Sequence, residues 1–254
     1  MPPKRGEAAL SPAVLDEKEA NVKLLESTAQ EDLRSLPDST CQVSLQRCAS
    51  IYAQSQTVEF LFLIEEGLVK LTRSNERGEK IILAVSGPGQ LVGEEALSQD
   101  AEQYYTDAVA LTAASVTRIP QRSLKQALAQ NAALTAALVG YLLSRKMDLA
   151  TKVELLCLHD VEYRILHYIN DLSRLLPQGQ NGDGYQIPIT QLELADLVGA
   201  TRETTSTTLN QLERRGLLKL SRRLLTVPSP EALVEAAGNH SAAPLTAAVN
   251  GAQQ

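Results

Sequence analysis

The segment from Ile189 to Leu217 constrains the fold more than any other part of this chain. Thr190 and Glu193 form a T-x-x-E capping box, which predicts a helix from Gln191 to about residue 198. Gly199 follows, and glycine tolerates the positive φ that a sharp turn between helices requires. The buried side of this first helix is predicted to carry Leu192, Ala195 and Leu197–Val198. The pattern therefore predicts a helix-turn-helix.

The second helix of the pair is predicted to begin after its capping residue Thr201 and to end before Gly216. Its polar face carries the residues Arg202, Glu203, Ser206, Thr207 and Asn210. An arginine can bond guanine through O6 and N7, and a glutamate can accept from cytosine N4. We therefore interpret this helix as one that enters the major groove of DNA.

Basic residues concentrate around this motif, although the whole 254-residue chain has a formal net charge of −6. Between Ile189 and Thr226 there are six Lys or Arg against four Asp or Glu, a local excess of two. Residues 217–227 are predicted to form a two-stranded wing with Arg222 and Arg223 at its tip. Local charge is a better guide to a DNA-binding domain than the charge of the chain.

The first half of the chain has short β-rich runs separated by turn signals, from Cys41 to about Ile119. Its apolar runs are Phe60–Ile64, Leu68–Thr72, Lys80–Val85 and Asp107–Ile119. Strands at such spacing predict an antiparallel barrel or roll.

A long helix is predicted to follow, capped by Asn131 and ending near Leu158. Leu142, Leu149 and Leu156 are seven residues apart, with Leu138 and Val153 on a neighbouring line. This apolar stripe could pack on the helix's own domain or against the same helix of a second copy. We favour the parallel dimer because the strand region is already compact.

The expected fold class is therefore α+β: an antiparallel β-roll, a long dimerisation helix and a winged helix-turn-helix. The expected divisions are a flexible leader (1–30), the roll (31–130), the long helix (131–158), the winged helix-turn-helix domain (159–236) and a disordered tail (237–254). Within the C-terminal domain, a loop is predicted over 177–184 and a short strand over 185–187.

Several function classes find no support in the sequence. No nucleophile–base pair, metal-ligand spacing or phosphate loop is present, so neither an enzyme nor a metal site is predicted. Cys41, Cys48 and Cys157 form an odd set that favours reduced thiols in a cytoplasm, and we interpret the first two as small strand residues. No membrane partner is expected, since no apolar run reaches membrane-spanning length.

Residues 41 to 228 resemble the CRP/FNR family of bacterial transcription regulators. The resemblance rests on Gly67, Gly78, Gly89, the turn Gly93-Glu94, the long helix and the segment Thr201–Ser206. It implies a cyclic-nucleotide-binding β-roll, and a homodimer that binds palindromic double-stranded DNA and contacts RNA polymerase. By position, Arg202 and Glu203 match the family's base-reading pair, and Thr207 stands where many members have another arginine. With these, Thr190, Gln191, Thr201, Ser206, Arg222 and Arg223 complete the predicted DNA-binding set.

The effector pocket departs from the family's cAMP-binding pattern. Glu94, beside Gly93, is kept, but Tyr104 and Tyr105 stand where an Arg-Ser pair holds the cyclic phosphate. Leu149 and Ala150 replace the Thr-Ser pair that meets the adenine. Regulation by cAMP is therefore not expected, because a phosphate without its arginine loses about 1.5–3 kcal/mol of charge-assisted bonding.

No other effector of the family is indicated. An iron–sulfur cluster needs four ligands and the chain has three Cys, while no axial-ligand signature for haem is present. The tyrosine pair could stack on an unknown ligand or fill the vacated pocket, and we favour filling. The leading hypothesis is a dimeric, sequence-specific DNA-binding transcription regulator. The alternative is a sensor of a cyclic nucleotide or other small molecule that acts through protein partners, and salt dependence of DNA binding separates the two.

Overall fold

The computed structural model describes residues 24–98, 100–176 and 184–241. Its N-terminal half contains two four-stranded antiparallel sheets, in the strand orders β1-β8-β3-β6 and β2-β7-β4-β5. The strands are β1 Thr40–Leu45, β2 Ser50–Tyr52, β3 Phe60–Glu66, β4 Val69–Ser74, β5 Lys80–Ser86, β6 Leu91–Val92, β7 Asp107–Ala110 and β8 Ala114–Pro120. A short 3-10 helix, Glu94–Leu97, follows β6. The predicted antiparallel roll is confirmed.

A helix flanks the roll on each side along the chain. Helix α1, Ser27–Arg34, precedes the first strand, and α2, Gln121–Gln130, follows the last. Leu25 and Ala29 are buried in the core of the roll. The leader predicted over residues 1–30 is therefore too long, because its last part is held by apolar packing. Residues 1–23 lie outside the described part of the chain.

Helix α3, Ala132–Leu158, joins the two halves of the chain. As predicted, Asn131 caps it, with its side chain accepting a hydrogen bond from the amide of Leu134 at 3.0 Å. Leu134 and Leu138 pack in the core of the roll, whereas Leu155 packs in the C-terminal core. Leu138 is only 2% exposed, so its assignment to a dimer contact is wrong: its own domain covers it.

The C-terminal half is a helical domain with a small antiparallel sheet, in the order β10-β11-β9. Its helices are α4 Val161–Arg174, α5 Gln191–Val198, α6 Arg202–Arg214 and α7 Pro230–Ser241, and its strands are β9 Tyr185–Ile187, β10 Lys219–Ser221 and β11 Leu224–Val227. The predicted strand, helix pair and wing are all confirmed. Ile82 of β5 lies in the same apolar cluster as this domain, so the two halves pack on each other.

Two further predictions are corrected at the C-terminal end and at a cysteine. The tail is predicted to begin at residue 237, but α7 continues to Ser241 and Ala237 is buried, because this helix packs on α4. Cys48 lies in an exposed turn with φ +68° and not in a strand. Apart from Gly184, the loop predicted over 177–184 lies outside the described residues, as does the segment 242–254.

Within the described ranges, no single helix is long and apolar enough to cross a membrane. Helices α2 and α3 meet that criterion only when taken together, and they are bent by 114° at their junction. The same ranges hold no group of three or more His, Cys, Asp or Glu side chains arranged to bind a metal ion.

Candidate nucleic-acid interface

The helix-turn-helix is fixed by a closed cap and a glycine turn. The hydroxyl and amide of Thr190 each donate to Oε2 of Glu193 at 2.9 Å, and the Glu193 amide donates back to the Thr190 hydroxyl at 3.1 Å. Gly199 ends α5 with φ +65°. A Cβ atom at this glycine would lie 2.7 Å from Cδ2 of Leu156, so the leucine side chain would have to shift, and the positive φ would strain a larger residue in any case.

The phase of α5 differs from the prediction at one position. Leu192 is predicted on the buried side, but it is 55% exposed. Ala195 and the pair Leu197–Val198 are buried as predicted, whereas Leu194 is buried in place of Leu192. The predicted DNA-contact residues Thr190 and Gln191 are half-buried at the start of α5.

Helix α6 buries one side and leaves the predicted reading face open. Its buried residues are Thr205, Thr208, Leu209 and Leu212. Thr201 caps it by accepting from the amide of Thr204 at 3.2 Å. Arg202, Glu203 and Thr207 are exposed, Ser206 is half-buried, and Asn210 is exposed one turn further on. Among the described residues, Arg202 and Glu203 form no ion pair, so a guanidinium and a carboxylate stand free beside the helix start.

The wing lies directly after this helix and ends in two cations. Leu224 of β11 pairs with Ser221 of β10, which leaves Arg222 and Arg223 as the connecting turn. Both side chains are exposed, and Arg223 has φ +62°. The tip therefore presents two positive charges that can meet phosphates without carrying sequence information.

On the sensor side, Tyr104 fills space against the Gly93 turn. Its ring stacks on Tyr52 with centroids 3.9 Å apart, and its hydroxyl donates to the Phe60 carbonyl at 2.7 Å. Gly93 has φ +80°, and a Cβ there would lie 3.1 Å from Cε1 of Tyr104. The tyrosine is 3% exposed, so it forms part of the packed core of the roll.

The other predicted pocket residues are not gathered around Tyr104. Tyr105 is 59% exposed, with the guanidinium of Arg73 lying 3.5 Å from its ring centroid. Leu149 and Ala150 are exposed on α3. A cleft of about 230 Å³ does adjoin Tyr104, but its walls come from elsewhere, among them Tyr52, Phe60, Phe62 and Arg118. The six predicted residues therefore do not enclose one site within a single chain.

Glu94 already has a partner that sequence reasoning missed. Nε of Arg145, on α3, lies 3.4 Å from Oε1 of Glu94, and Arg145 also pairs with Asp148 at 3.7 Å. Burial raises the pKa of Glu94, and the charge of Arg145 opposes that rise. No local pattern singled out Arg145, because the same helix also carries Lys146, Asp148, Lys152 and Glu154.

A second ion cluster, between the two halves of the chain, was also missed. Glu193 of α5 accepts from Nη2 of Arg47 at 2.9 Å and from Nζ of Lys70 at 2.8 Å. Arg47 additionally donates to the carbonyl of Pro188 at 2.9 Å. Burial opposes the charge of Glu193, yet the hydrogen bonds from Lys70 and Thr190 prevail and lower its pKa. No local pattern signals contacts between residues this far apart in sequence.

Comparison with known proteins covers both halves of the chain. The cyclic nucleotide-binding domain family matches residues 42–131, and the Crp-like helix-turn-helix domain family matches residues 163–236. The chain is 27% identical over 179 residues to the cAMP-activated global transcriptional regulator CRP of Salmonella typhimurium, covering 70% of this chain and 85% of that protein. It is 25% identical over 190 residues to the global nitrogen regulator of Synechocystis sp., covering 74% of this chain and 84% of that protein.

A solved structure shows the same architecture. A CRP-family transcriptional regulator from Thermus thermophilus superposes with a TM-score of 0.67 at 25% sequence identity. The superposition covers 77% of this chain and 96% of that one, so the likeness includes the roll and the C-terminal domain together.

Proposed function

Because the chain belongs to the CRP/FNR family of transcription regulators, we propose that it binds palindromic DNA as a homodimer and is not controlled by cAMP. The observation that carries the DNA contact is the open face of α6. Arg202 and Glu203 stand unpaired among the described residues at the start of the helix, while its opposite side is buried. The matched Crp-like helix-turn-helix family and the relatives, which are named as regulators, support this role over catalysis.

The surface of α3 supports the homodimer. Most of the large apolar side chains that the described residues leave exposed lie on this one helix: Val139, Leu142, Leu143, Met147, Leu149, Val153, Leu156 and Leu158. Four of them, Leu142, Leu149, Val153 and Leu156, share one face of the helix, and an exposed apolar stripe of this kind marks an interaction site. Leu142, Leu149 and Leu156 repeat every seven residues, which is the spacing of a parallel two-helix contact.

Replacing Arg202 by alanine should weaken binding to the selected operator by about 1–3 kcal/mol and relax base preference at one position in each half-site. The operator would be selected from random double-stranded DNA, and affinity measured by fluorescence anisotropy over a salt series. Arg214→Ala is the matched control, since Arg214 is exposed at the other end of α6 and should leave base preference unchanged. A variant with the parent's affinity and selectivity would remove Arg202 from the reading face. DNA binding that is insensitive to salt would favour a regulator that works through protein contacts.

Three features of the roll and of α3 support the absence of cAMP control. Tyr104, which by the resemblance matches the position of the phosphate-binding arginine, packs on Tyr52 and donates to the carbonyl of Phe60. Glu94 is paired with Arg145. Leu149 offers no hydrogen bond to a base. A cyclic nucleotide entering here would displace a packed ring and leave its own phosphate without a charged partner.

Addition of millimolar cAMP should therefore leave the operator affinity of this protein unchanged, and calorimetric titration should show no binding heat. The cAMP-activated relative from Salmonella typhimurium, assayed on its own operator, provides the positive control. A tightening of DNA binding by cAMP in this chain would show that Tyr104 moves aside and would overturn this part of the proposal.

A further inference from the structure

Helix α5 is held at both of its ends by cations from outside its own domain. At its beginning, Arg47 and Lys70 of the roll bind Glu193. At its end, Lys152 of α3 donates to the carbonyl of Leu197 at 2.7 Å. The two attachments lie one turn apart along a helix of eight residues, so they restrain its position and its direction together.

Lys152 is an unusual residue for a surface helix because it is only 5% exposed. Besides Leu197, its ammonium group donates to the hydroxyl of Tyr168 on α4 at 3.2 Å and lies 4.8 Å from the centroid of that ring. Burial lowers the pKa of Lys152 to about 8, and the nearby charge of Arg164 on α4 adds to this effect. The group thus remains mostly protonated at neutral pH, and its charge meets the negative end of the α5 dipole.

The attachment at the beginning of α5 is equally specific. Glu193 uses Oε2 for Arg47 and Thr190, and Oε1 for Lys70. Lys70 lies on β4, next to β5, and β5 packs against α5 through Ile82. The carboxylate therefore closes the helix cap and, at the same time, ties this end of the helix to the sensor sheet.

The position of α5 determines the position of the reading helix. Only Gly199, Ala200 and Thr201 separate α5 from α6, and Gly199 lies directly against Leu156 of α3. Leu209 and Leu212 of α6 are buried in the same core as Leu194 and Leu197 of α5. The two helices consequently move as one body, and any tilt of α5 displaces Arg202.

We propose that Lys152 and Lys70 are positioning residues that fix the reading helix relative to the long helix and so set the distance between the two half-sites that the protein accepts. This inference rests on the proposed homodimer. In a dimer joined through α3, the separation of the two copies of α6 depends on the angle at which each α5 leaves α3. Rigid attachment at both ends of α5 restricts that separation to a small range. Loss of one attachment broadens the range.

The test compares operators whose half-site spacing is native, one base pair shorter or one base pair longer. One base pair rotates a half-site by roughly 34° and moves it by about 3.4 Å. For the parent, we expect each altered spacing to lower affinity by about tenfold or more, as a mismatched base pair does. In Lys152→Met and Lys70→Met, we expect this penalty to fall below about threefold, with weaker binding to the native spacing.

Three controls separate positioning from general damage. Arg77→Met removes an exposed cation from the turn between β4 and β5 and should keep the parental spacing penalty. Thermal unfolding should show Lys152→Met to be folded at the assay temperature, with a lower midpoint than the parent because the buried carbonyl of Leu197 loses its donor. If Lys152→Met does not fold, Tyr168→Phe removes only the hydroxyl that accepts from Lys152 and should lower the spacing penalty to a smaller degree.

The possible outcomes are distinct. A folded Lys152→Met and a folded Lys70→Met that both keep the parent's spacing penalty would overturn the inference while leaving the proposed function intact. A parent that binds no palindromic site would instead refute the proposed function, and the inference with it. A reduced penalty in a variant that is folded at the assay temperature would establish the positioning role.

Discussion

Replacing both Leu149 and Val153 by glutamate should convert the homodimer into a monomer. Binding to a palindromic operator should weaken by at least about 1000-fold, which is the usual difference between specific and non-specific affinity. These side chains are 53% and 55% exposed in the single chain, and they lie four residues apart on one face of α3. Burying each of them against a partner contributes about 1.5–3 kcal/mol, which is then lost from both copies. Four carboxylates would also face one another at the centre of the contact.

Sedimentation equilibrium would measure the dimer constant, and anisotropy would measure the operator affinity. Met147→Glu is a matched control, because Met147 is 54% exposed but lies two residues before Leu149, about 200° around the helix. We expect this control to remain dimeric. Dimers that persist in the double variant would mean that another surface joins the copies and that the seven-residue repeat of leucines is coincidental.

The parts of the fold that could be predicted are those specified by nearby residues. The capping box of Thr190 and Glu193, the glycine turn and the cap at Asn131 each act within one helical turn, so their sequence patterns predict helix starts reliably. The antiparallel roll was predictable for a similar reason, since turn residues between apolar runs mark hairpins. The wing, with Arg222 and Arg223 at its tip, follows the same rule.

Contacts between distant segments could not be predicted. Nothing near Glu193 indicates that Arg47 and Lys70 bind it, because those residues are brought close only when the two halves pack together. The orientation of Tyr104, in the loop before β7, depends on Tyr52 of β2. For Leu138 the local pattern was misleading. Its spacing fits the apolar stripe of the proposed dimer contact, but this part of α3 packs on the roll, which covers the side chain.

Replacing Glu193 by alanine should lower the free energy of unfolding by about 3 kcal/mol at neutral pH. The substitution opens the cap of α5 and leaves two cations, of which Lys70 is only 16% exposed, without their anion. Glu193→Gln should cost less, because an amide oxygen can still accept from Thr190. Urea unfolding followed by circular dichroism would measure the free energy of unfolding of both variants. As a control, Glu235→Ala replaces an exposed residue of α7, and its free energy of unfolding should lie within about 0.5 kcal/mol of the parent's.

The pH dependence of the stability lost in Glu193→Ala provides a second check on the ion pairs of Glu193 with Arg47 and Lys70. Lys70 and Thr190 hold the pKa of Glu193 below its usual value of 4.5 against the opposing effect of burial. A carboxyl whose pKa is lowered on folding contributes stability that is fully present above the unfolded pKa and is lost as pH falls through the folded pKa. The difference between parent and Glu193→Ala should therefore be constant near neutrality and shrink once the pH drops below 4.5. A difference that is small at neutral pH, or one that does not change in acid, would show that Glu193 contributes through the helix cap alone, and that Arg47 and Lys70 add no attachment between the two halves.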